Sequence, residues 1–160
     1  MTCRQHIDSL FEAPADVVLG HSSDGYTYRL YFEDPRGGSA TADSEKVAEL
    51  VYYYPPGRRD YAEVISVHVE PDYRRYGLAT KLYQELKKEL KLRGTKWVGG
   101  EVLSQIPFDI RNKVFGKPDM VSDDLEELPV SELRKRIPQK PAELGDTGSQ
   151  PKVFVRNKVR

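Results

Sequence analysis

The stretch YAEVISVHVEPDYRRYGLATKLYQELKKELKL, residues 61–92, decides the fold of this chain. Residues 61–69 are rich in Val, Ile and Tyr without helical spacing, which predicts a largely buried strand that ends before Pro71. A helix is predicted to follow, because leucines recur every four residues at Leu78, Leu82, Leu86 and Leu90. Arg93 and Gly94 are typical of a helix C-terminus, where a cation meets the negative end of the dipole and glycine takes the left-handed cap.

A strand that runs through a short basic loop into a helix creates a site for an anion. The first backbone N–H groups of a helix lack intrahelical acceptors and point the same way. The helix dipole adds about half a positive charge at that end, and Arg74 and Arg75 add whole charges. Gly77 lets a phosphate approach the backbone. The pattern predicts a pyrophosphate ligand, although it has neither the lysine of a Walker-type loop nor the three glycines of the dinucleotide fingerprint.

The sequence Arg74-x-x-Gly77-x-Ala79, after a strand that ends in Val-x-Val-Glu-Pro, is similar to a known cofactor loop. It resembles the coenzyme A loop of the Gcn5-related N-acetyltransferases (GNAT), whose pattern is Gln/Arg-x-x-Gly-x-Gly/Ala. The resemblance implies the α/β (α+β) acyl-CoA N-acyltransferase fold. That fold has a mixed, mostly antiparallel sheet with a central parallel strand–helix–strand unit. The short segment before Tyr26 implies that the N-terminal helical region is reduced.

The resemblance also implies a set of residues that bind the cofactor. The backbone of the strand end would pair with the pantetheine arm, and amides of the loop and first helical turn would hold the pyrophosphate. The implied residues are Val67, His68, Val69, Arg74, Arg75, Tyr76, Gly77, Leu78, Ala79 and Thr80. The alternative is an ordinary strand–turn–helix whose arginines are solvated. No metal ligands are expected.

Glu63 is the candidate catalytic base, because it precedes Arg74 by a spacing similar to that of the catalytic glutamate in the histone-acetyltransferase branch of the family. A charged residue in an otherwise apolar strand costs free energy unless it is solvated or paired, so such a residue is a candidate for a catalytic role. A glutamate on a solvent-facing strand position remains the alternative. His68 competes, since imidazole titrates near neutral pH, but a regular strand places it opposite Glu63 as a packed, neutral side chain. Glu101 on the neighbouring strand could act through a water or pair with a lysine.

No general acid can be assigned from the sequence. Members of the family commonly carry an Asn near the start of their last helix and an acidic Tyr near its end, whereas this chain has Asn112 late and Phe115 near the tyrosine's position. Four further candidates lie on predicted strands and are not distinguished by sequence: Tyr31, Tyr52, Tyr54 and Tyr61.

Composition excludes several classes of protein. The chain has 160 residues, which suits one domain with a single core. Zero net charge and 38% hydrophobic residues are not those of a polycation or a membrane protein. Cys3 is the single cysteine, so no internal disulfide is expected. No signal peptide or membrane-spanning stretch is recognisable, and we expect a cytoplasmic protein.

The remaining chain predicts a sheet around the central unit. Strands are predicted at residues 15–19, 26–33, 46–54, 61–69, 95–103 and 152–159, and helices at residues 6–12, 78–92, 107–115 and 131–137. Residues 34–44 are too polar to pack and predict a loop. We divide the chain into an acetyltransferase core, residues 1–118, and a C-terminal extension, residues 119–160. The final strand was expected at the sheet edge.

The leading functional hypothesis is an N-acetyltransferase that moves an acetyl group from acetyl-CoA to a primary amine by direct attack in a ternary complex. The acceptor would be a small molecule or a peptide. Its pocket would be either shallow and open or completed by a second subunit in a homodimer. One alternative is an acyl-CoA-binding regulatory module without catalysis. Another is an acetyltransferase whose nucleic-acid or protein substrate is recruited by residues 131–160, where eight Lys or Arg face three Asp or Glu.

Overall fold

One mixed sheet carries the described part of the chain. The structure is a computed structural model and describes residues 17–35, 45–102, 105–122, 131, 135 and 153–160. Its strands are β1 (Val18–Ser23), β2 (Thr27–Asp34), β3 (Glu45–Tyr53), β4 (Tyr61–Val69), β5 (Trp97–Glu101), β6 (Asp119–Ser122) and β7 (Val153–Lys158). Its α-helices are α1 (Leu78–Leu92) and α2 (Gln105–Phe115), and a 3-10 helix (Pro71–Tyr76) precedes α1.

The strand order in space is β1-β2-β3-β4-β5-β7-β6. Every neighbouring pair is antiparallel except β4 and β5, which are parallel and joined by α1. A parallel pair requires such a crossover. The predicted fold class, a mostly antiparallel sheet around one parallel strand–helix–strand unit, is confirmed.

The core lies between the sheet and one face of α1. The predicted leucine stripe is buried together with one aromatic residue, as Leu78, Leu82, Tyr83, Leu86 and Leu90. Burying each leucine contributes about 2 kcal/mol. Helix α2 packs on the same side of the sheet, where Asn157 Nδ2 donates to Asn112 Oδ1 at 3.2 Å and to Gly116 O at 3.1 Å.

The C-terminal cap of α1 forms as predicted. Gly94 has a φ of 72°. Its N–H donates to Lys91 O at 3.1 Å, and Thr95 N–H donates to Leu90 O at 2.9 Å. These two bonds satisfy carbonyls that the helix leaves open.

Two expectations about strands are wrong. The first strand, predicted at residues 15–19, begins at Val18 and continues to Ser23. The final strand β7 is interior, because β6 pairs with its outer side and takes the edge. The predicted helix at residues 6–12 and most of the predicted loop at residues 34–44 lie outside the described residues. Of residues 131–137, only 131 and 135 are described, and both are helical.

The division of the chain at residue 118 and the homodimer stay predictions. No helix in the described part of the chain has both the length and the hydrophobicity needed to cross a membrane. Within the same residues, no three metal-ligating side chains come together.

Candidate active site

The two central strands separate and leave a cleft. β4 and β5 pair only where Tyr61, Ala62 and Glu63 meet Trp97, Val98 and Gly99. Beyond that point β4 continues to Val69, whereas Gly100 and Glu101 pair with β7 on the other side. We call the place where β4 and β5 part the fork. Among the described residues, no strand pairs with the β5-facing edge of β4 past Glu63.

Two glycines in β5 allow this close approach and separation. An ideal Cβ at Gly100 would lie 2.5 Å from Val64 O, and Gly100 has a φ of 145°, which L side chains rarely adopt. An ideal Cβ at Gly99 would lie 2.5 Å from Tyr61 Oη and 2.6 Å from Val155 O. The two strands thus part at the glycines of β5.

Glu63 lies at the apex of the fork, as the last residue of β4 that pairs with β5. On its other side it pairs with Tyr53 of β3, and Tyr53 Oη donates to Glu63 Oε2 at 3.3 Å. The carboxylate is half-buried. It is therefore not fully solvated, and Glu63 forms no ion pair with another residue that the structure describes.

A bulge in β4 changes which residues share a face with Glu63. Val51 pairs with Ser66 and Tyr52 pairs with Val64, so Ile65 is an extra residue in β4. The extra residue reverses the alternation and brings Ser66 and His68 to the face of Glu63. The expectation that His68 lies on the opposite face is wrong.

His68 is also not the packed, neutral side chain that regular pleating predicts. Its side chain is 62% exposed, and its Nε2 lies 3.0 Å from Glu70 Oε1. Val67 and Val69 instead turn toward the core, as half-buried residues against the α1 side of the sheet. The strand end predicted to meet a pantetheine arm therefore has an apolar face toward α1 and a polar face toward solvent.

The predicted basic loop is a 3-10 helix followed by one residue of left-handed backbone. Pro71 begins the 3-10 helix, and Tyr73 N–H donates to Glu70 O at 2.9 Å. Gly77 has φ 67° and ψ 26°, and it precedes α1 without any side-chain cap. The first intrahelical bond runs from Lys81 N–H to Gly77 O at 3.1 Å.

The free amides are therefore concentrated in the first turn of α1. The N–H groups of Leu78, Ala79 and Thr80 have no intrahelical acceptor. Those of Arg75 and Tyr76 lie inside the 3-10 helix, where i to i+3 bonds use them. Within the predicted set, the amides that are free to bind a ligand are thus those of Leu78, Ala79 and Thr80, directly after the left-handed Gly77.

Both arginines of the motif are exposed near this turn. Arg74 Nε donates to Val69 O at 3.2 Å, which ties the 3-10 helix to the end of β4. Arg75 Nη2 donates to Tyr76 Oη at 3.0 Å, and its guanidinium carbon lies 5.1 Å from the centroid of that ring. The two positive charges precede the free amides in the chain, and an anion at the first turn of α1 would be favoured by both the charges and the helix dipole.

The tyrosines named as candidate acids occupy different places. Tyr52 is fully buried and Tyr54 half-buried on the α1 side of the sheet, away from Glu63. Tyr31 of β2 lies under Lys46, whose Nζ is 4.4 Å from the ring centroid. Tyr61 lies next to the fork over Gly99, and burial raises its pKa to about 12 with a smaller contribution from Glu63.

The residues of α2 that match the family's acid supply no proton donor to the fork. Phe115 is buried edge-on against Tyr83, with ring centroids 6.5 Å apart. Asn112 is engaged with Asn157 of β7.

Sequence reasoning missed Tyr53 and Arg111. Tyr53 lies opposite Glu63 only through the register of β3 against β4, which the sequence does not fix. Arg111 of α2 is 3% exposed, and its Nε and Nη1 have no hydrogen-bond partner. Its guanidinium carbon lies 5.9 Å from the Tyr83 ring centroid. No periodic signal distinguishes such a buried arginine from a solvated one.

Solved structures with the same fold include two with cofactors. A GNAT acetyltransferase from Elizabethkingia anophelis with acetyl-CoA bound is 8% identical, with a TM-score of 0.54 over 91% of this chain and 99% of that one. A Bacillus subtilis acetyltransferase in complex with CoA is 12% identical, with a TM-score of 0.53 over 90% and 98%. The ribosomal-protein-S18-alanine N-acetyltransferase of Escherichia coli is 16% identical, with a TM-score of 0.50 over 86% and 72%. Identities this low show a shared fold alone.

The family is shown by the sequence itself. No curated protein sequence matches the chain significantly. The family model described as the acetyltransferase (GNAT) family matches residues 5–102, which is more than half of the chain. The matched range contains the fork, Glu63 and the first turn of α1. The chain therefore belongs to the acetyltransferase (GNAT) family.

Proposed function

We propose that this protein transfers an acetyl group from acetyl-CoA to a primary amine. The observation that carries the proposal is the position of Glu63 at the apex of a fork whose β4 arm leads directly to the uncapped N-terminus of α1. A donor with a long arm and a pyrophosphate needs an open strand edge for the arm and free amides for the pyrophosphate, one directly after the other. The solved relatives bound to CoA and acetyl-CoA support the choice of donor.

The residues present fit acetyl-CoA. The amides of Leu78, Ala79 and Thr80 would hold the pyrophosphate, with Arg74 and Arg75 adding positive charge. The unpaired edge of β4 at residues 67–69 would bond to the amide groups of the pantetheine arm. When bound, acetyl-CoA supplies an activated thioester, whose acetyl group passes to the amine nitrogen as the C–S bond breaks.

The protein's chemical contribution is deprotonation and orientation. A primary amine is an ammonium ion at neutral pH and must lose a proton before its nitrogen can attack. Glu63 would accept that proton, directly or through one water. Tyr53 would fix the carboxylate through its hydrogen bond and leave the second oxygen free for the amine. A backbone N–H near Val69 would stabilise the oxyanion.

A second candidate is an acyl-CoA-binding module that lacks catalysis. It is favoured by α2, in which the buried Phe115 and the engaged Asn112 offer no general acid. The leaving group weakens this argument, because a thiolate departs readily without an acid. Recruitment of a nucleic acid or protein by residues 131–160 stays a prediction.

The test is release of free CoA thiol from acetyl-CoA in the presence of a panel of primary amines. The panel should contain polyamines, aminoglycosides and lysine- or N-terminus-bearing peptides. Amine-dependent thiol release above the rate with boiled protein supports the enzyme. Binding of acetyl-CoA without thiol release in the presence of any amine would favour the non-catalytic module.

A further inference from the structure

A separate cavity lies at the C-terminal end of α1, where Arg93 caps the helix. Its volume is about 430 Å³, and the described residues that line it are Tyr28, Tyr54, Arg59 and Arg93. We call it the tyrosine–arginine cavity. Helix α1 has 15 residues, so at 1.5 Å per residue its two ends are about 22 Å apart. A ligand in this cavity would not touch the free amides of the first turn.

The aromatic walls of the cavity are fixed before any ligand arrives. The Tyr28 ring stacks on the buried Tyr52 ring, with centroids 5.2 Å apart, and meets the Tyr54 ring edge-on at 5.9 Å. The Tyr54 and Thr95 hydroxyls are hydrogen-bonded at 2.7 Å. Rings held in this way lose little freedom on binding, which favours a flat ligand.

The cavity carries a surplus of positive charge. The Arg93 guanidinium lies over the Tyr28 ring at 4.5 Å and pairs with Glu89 at 3.2 Å. Arg59 is exposed and, within the described residues, has neither an ion-pair nor a hydrogen-bond partner. Two guanidinium groups thus face one carboxylate, so an anion would balance the charge.

A second cavity, lined mainly by lysines, lies between α1 and α2. It also has a volume of about 430 Å³, and the described residues that line it include Lys87, Lys88, Lys91 and Lys113 but no aromatic residue. Lysine attracts phosphate as a point charge, whereas arginine presents a planar guanidinium group that binds phosphate through paired hydrogen bonds. The tyrosine–arginine cavity combines two guanidinium groups with the aromatic ring of Tyr54.

We propose that the tyrosine–arginine cavity binds a nucleoside monophosphate. The base would lie against the Tyr54 ring, because aromatic side chains stack on any base, whereas the Tyr28 ring is already covered by Tyr52 and Arg93. The phosphate would be held by Arg59 and Arg93. The volume is within the range of about 300 to 1,000 Å³ that is usual for small-molecule sites. This inference does not depend on the acetyltransferase activity.

The test is calorimetric titration of the full chain with AMP, adenosine and ribose 5-phosphate, first alone and then with saturating acetyl-CoA. We expect AMP to bind at least about tenfold more tightly than either fragment, since each fragment lacks one half of the contacts. Binding should persist with acetyl-CoA present. Arg59→Gln, a change at an exposed position, should weaken AMP binding about tenfold.

Two control variants separate this cavity from the donor site. Arg58→Gln, at a neighbouring exposed position that does not line the cavity, should bind AMP as the wild type does, whereas Arg74→Gln should weaken only acetyl-CoA binding. The proposal would be overturned if AMP displaces acetyl-CoA, or if Arg59→Gln leaves the affinity for AMP unchanged. If acetyl-CoA fails to bind, the proposed function fails. The comparison of AMP with its fragments, and of Arg59→Gln with Arg58→Gln, still tests whether the cavity binds a nucleoside monophosphate.

Discussion

Tyr53 Oη donates a hydrogen bond to Glu63 Oε2 at 3.3 Å, across the β3–β4 pair and beside the fork. Partial burial, with a further contribution from the Glu63 carboxylate, raises the pKa of Tyr53 above its ordinary value. The phenol therefore keeps its proton well above neutral pH and remains a donor. One oxygen of Glu63 is oriented, and the other is available to an acceptor amine.

Glu63→Gln should lower kcat by about 100-fold or more while acetyl-CoA affinity stays unchanged. The amide keeps the shape of the side chain but cannot take a proton from the ammonium. The measurement is steady-state kinetics with the best amine, together with calorimetric titration of acetyl-CoA. Glu70→Gln is the matched control, because Glu70 pairs with exposed His68 away from the apex. Equal kcat in the wild type and Glu63→Gln would remove Glu63 from its proposed role.

Tyr53→Phe should reduce kcat by about tenfold while acetyl-CoA affinity stays unchanged. The physical reason is that the Glu63 carboxylate loses the hydrogen bond that orients it, so its free oxygen is less often in position to accept a proton from the amine. Steady-state kinetics with the best amine and calorimetric titration of acetyl-CoA check this. Tyr31→Phe, on the same face of the sheet but on β2, should leave kcat unchanged. Equal kcat in the wild type and Tyr53→Phe would show that Tyr53 does not position Glu63.

The central unit was predictable from the sequence because its signals are local. Leucine spacing, Pro71 and Gly94 mark the ends of β4 and α1, and those ends agree with the structure. The face of His68 was not predictable, because it depends on the bulge at Ile65, which has no local signature. The place of β7 inside the sheet likewise depends on long-range pairing with β6.

The candidate site was predictable only in its backbone. The amides of the first turn of α1 follow from the strand–glycine–helix order. The partner of Glu63 depends on the register of β3 against β4, and the burial of Arg111 depends on how α2 packs against α1. Both are tertiary properties that composition and periodicity do not encode.

Gly100→Ala should lower the free energy of unfolding by about 3 kcal/mol and weaken acetyl-CoA binding. The added Cβ would meet Val64 O at 2.5 Å where the strands part, at a φ of 145°. Urea unfolding measures the stability change. Gly57→Ala is the matched control, because Gly57 also has a positive φ of 77° but no heavy atom within 4 Å of its ideal Cβ. Equal losses in the two variants would show that contact at the fork does not constrain residue 100.

Arg111→Met should leave the free energy of unfolding unchanged or raise it by about 1 to 2 kcal/mol. The guanidinium stays charged at all accessible pH values, and two of its nitrogens are buried without partners. Urea unfolding again provides the measurement, with Lys113→Met at an exposed position of the same helix as control. A clear loss of stability would show that the contact with the Tyr83 ring outweighs the desolvation of the charge.

Calorimetric titration of acetyl-CoA into the wild type and Ala79→Pro tests the central claim most directly. Proline removes one N–H from the first turn of α1, and the helix is expected to survive because that amide has no intrahelical acceptor. A thermal-unfolding curve of each protein checks that the fold is kept. The account predicts one acetyl-CoA per chain and binding about tenfold weaker in Ala79→Pro. Absence of both heat and thermal shift with the wild type, or equal affinity in the two proteins, would contradict it.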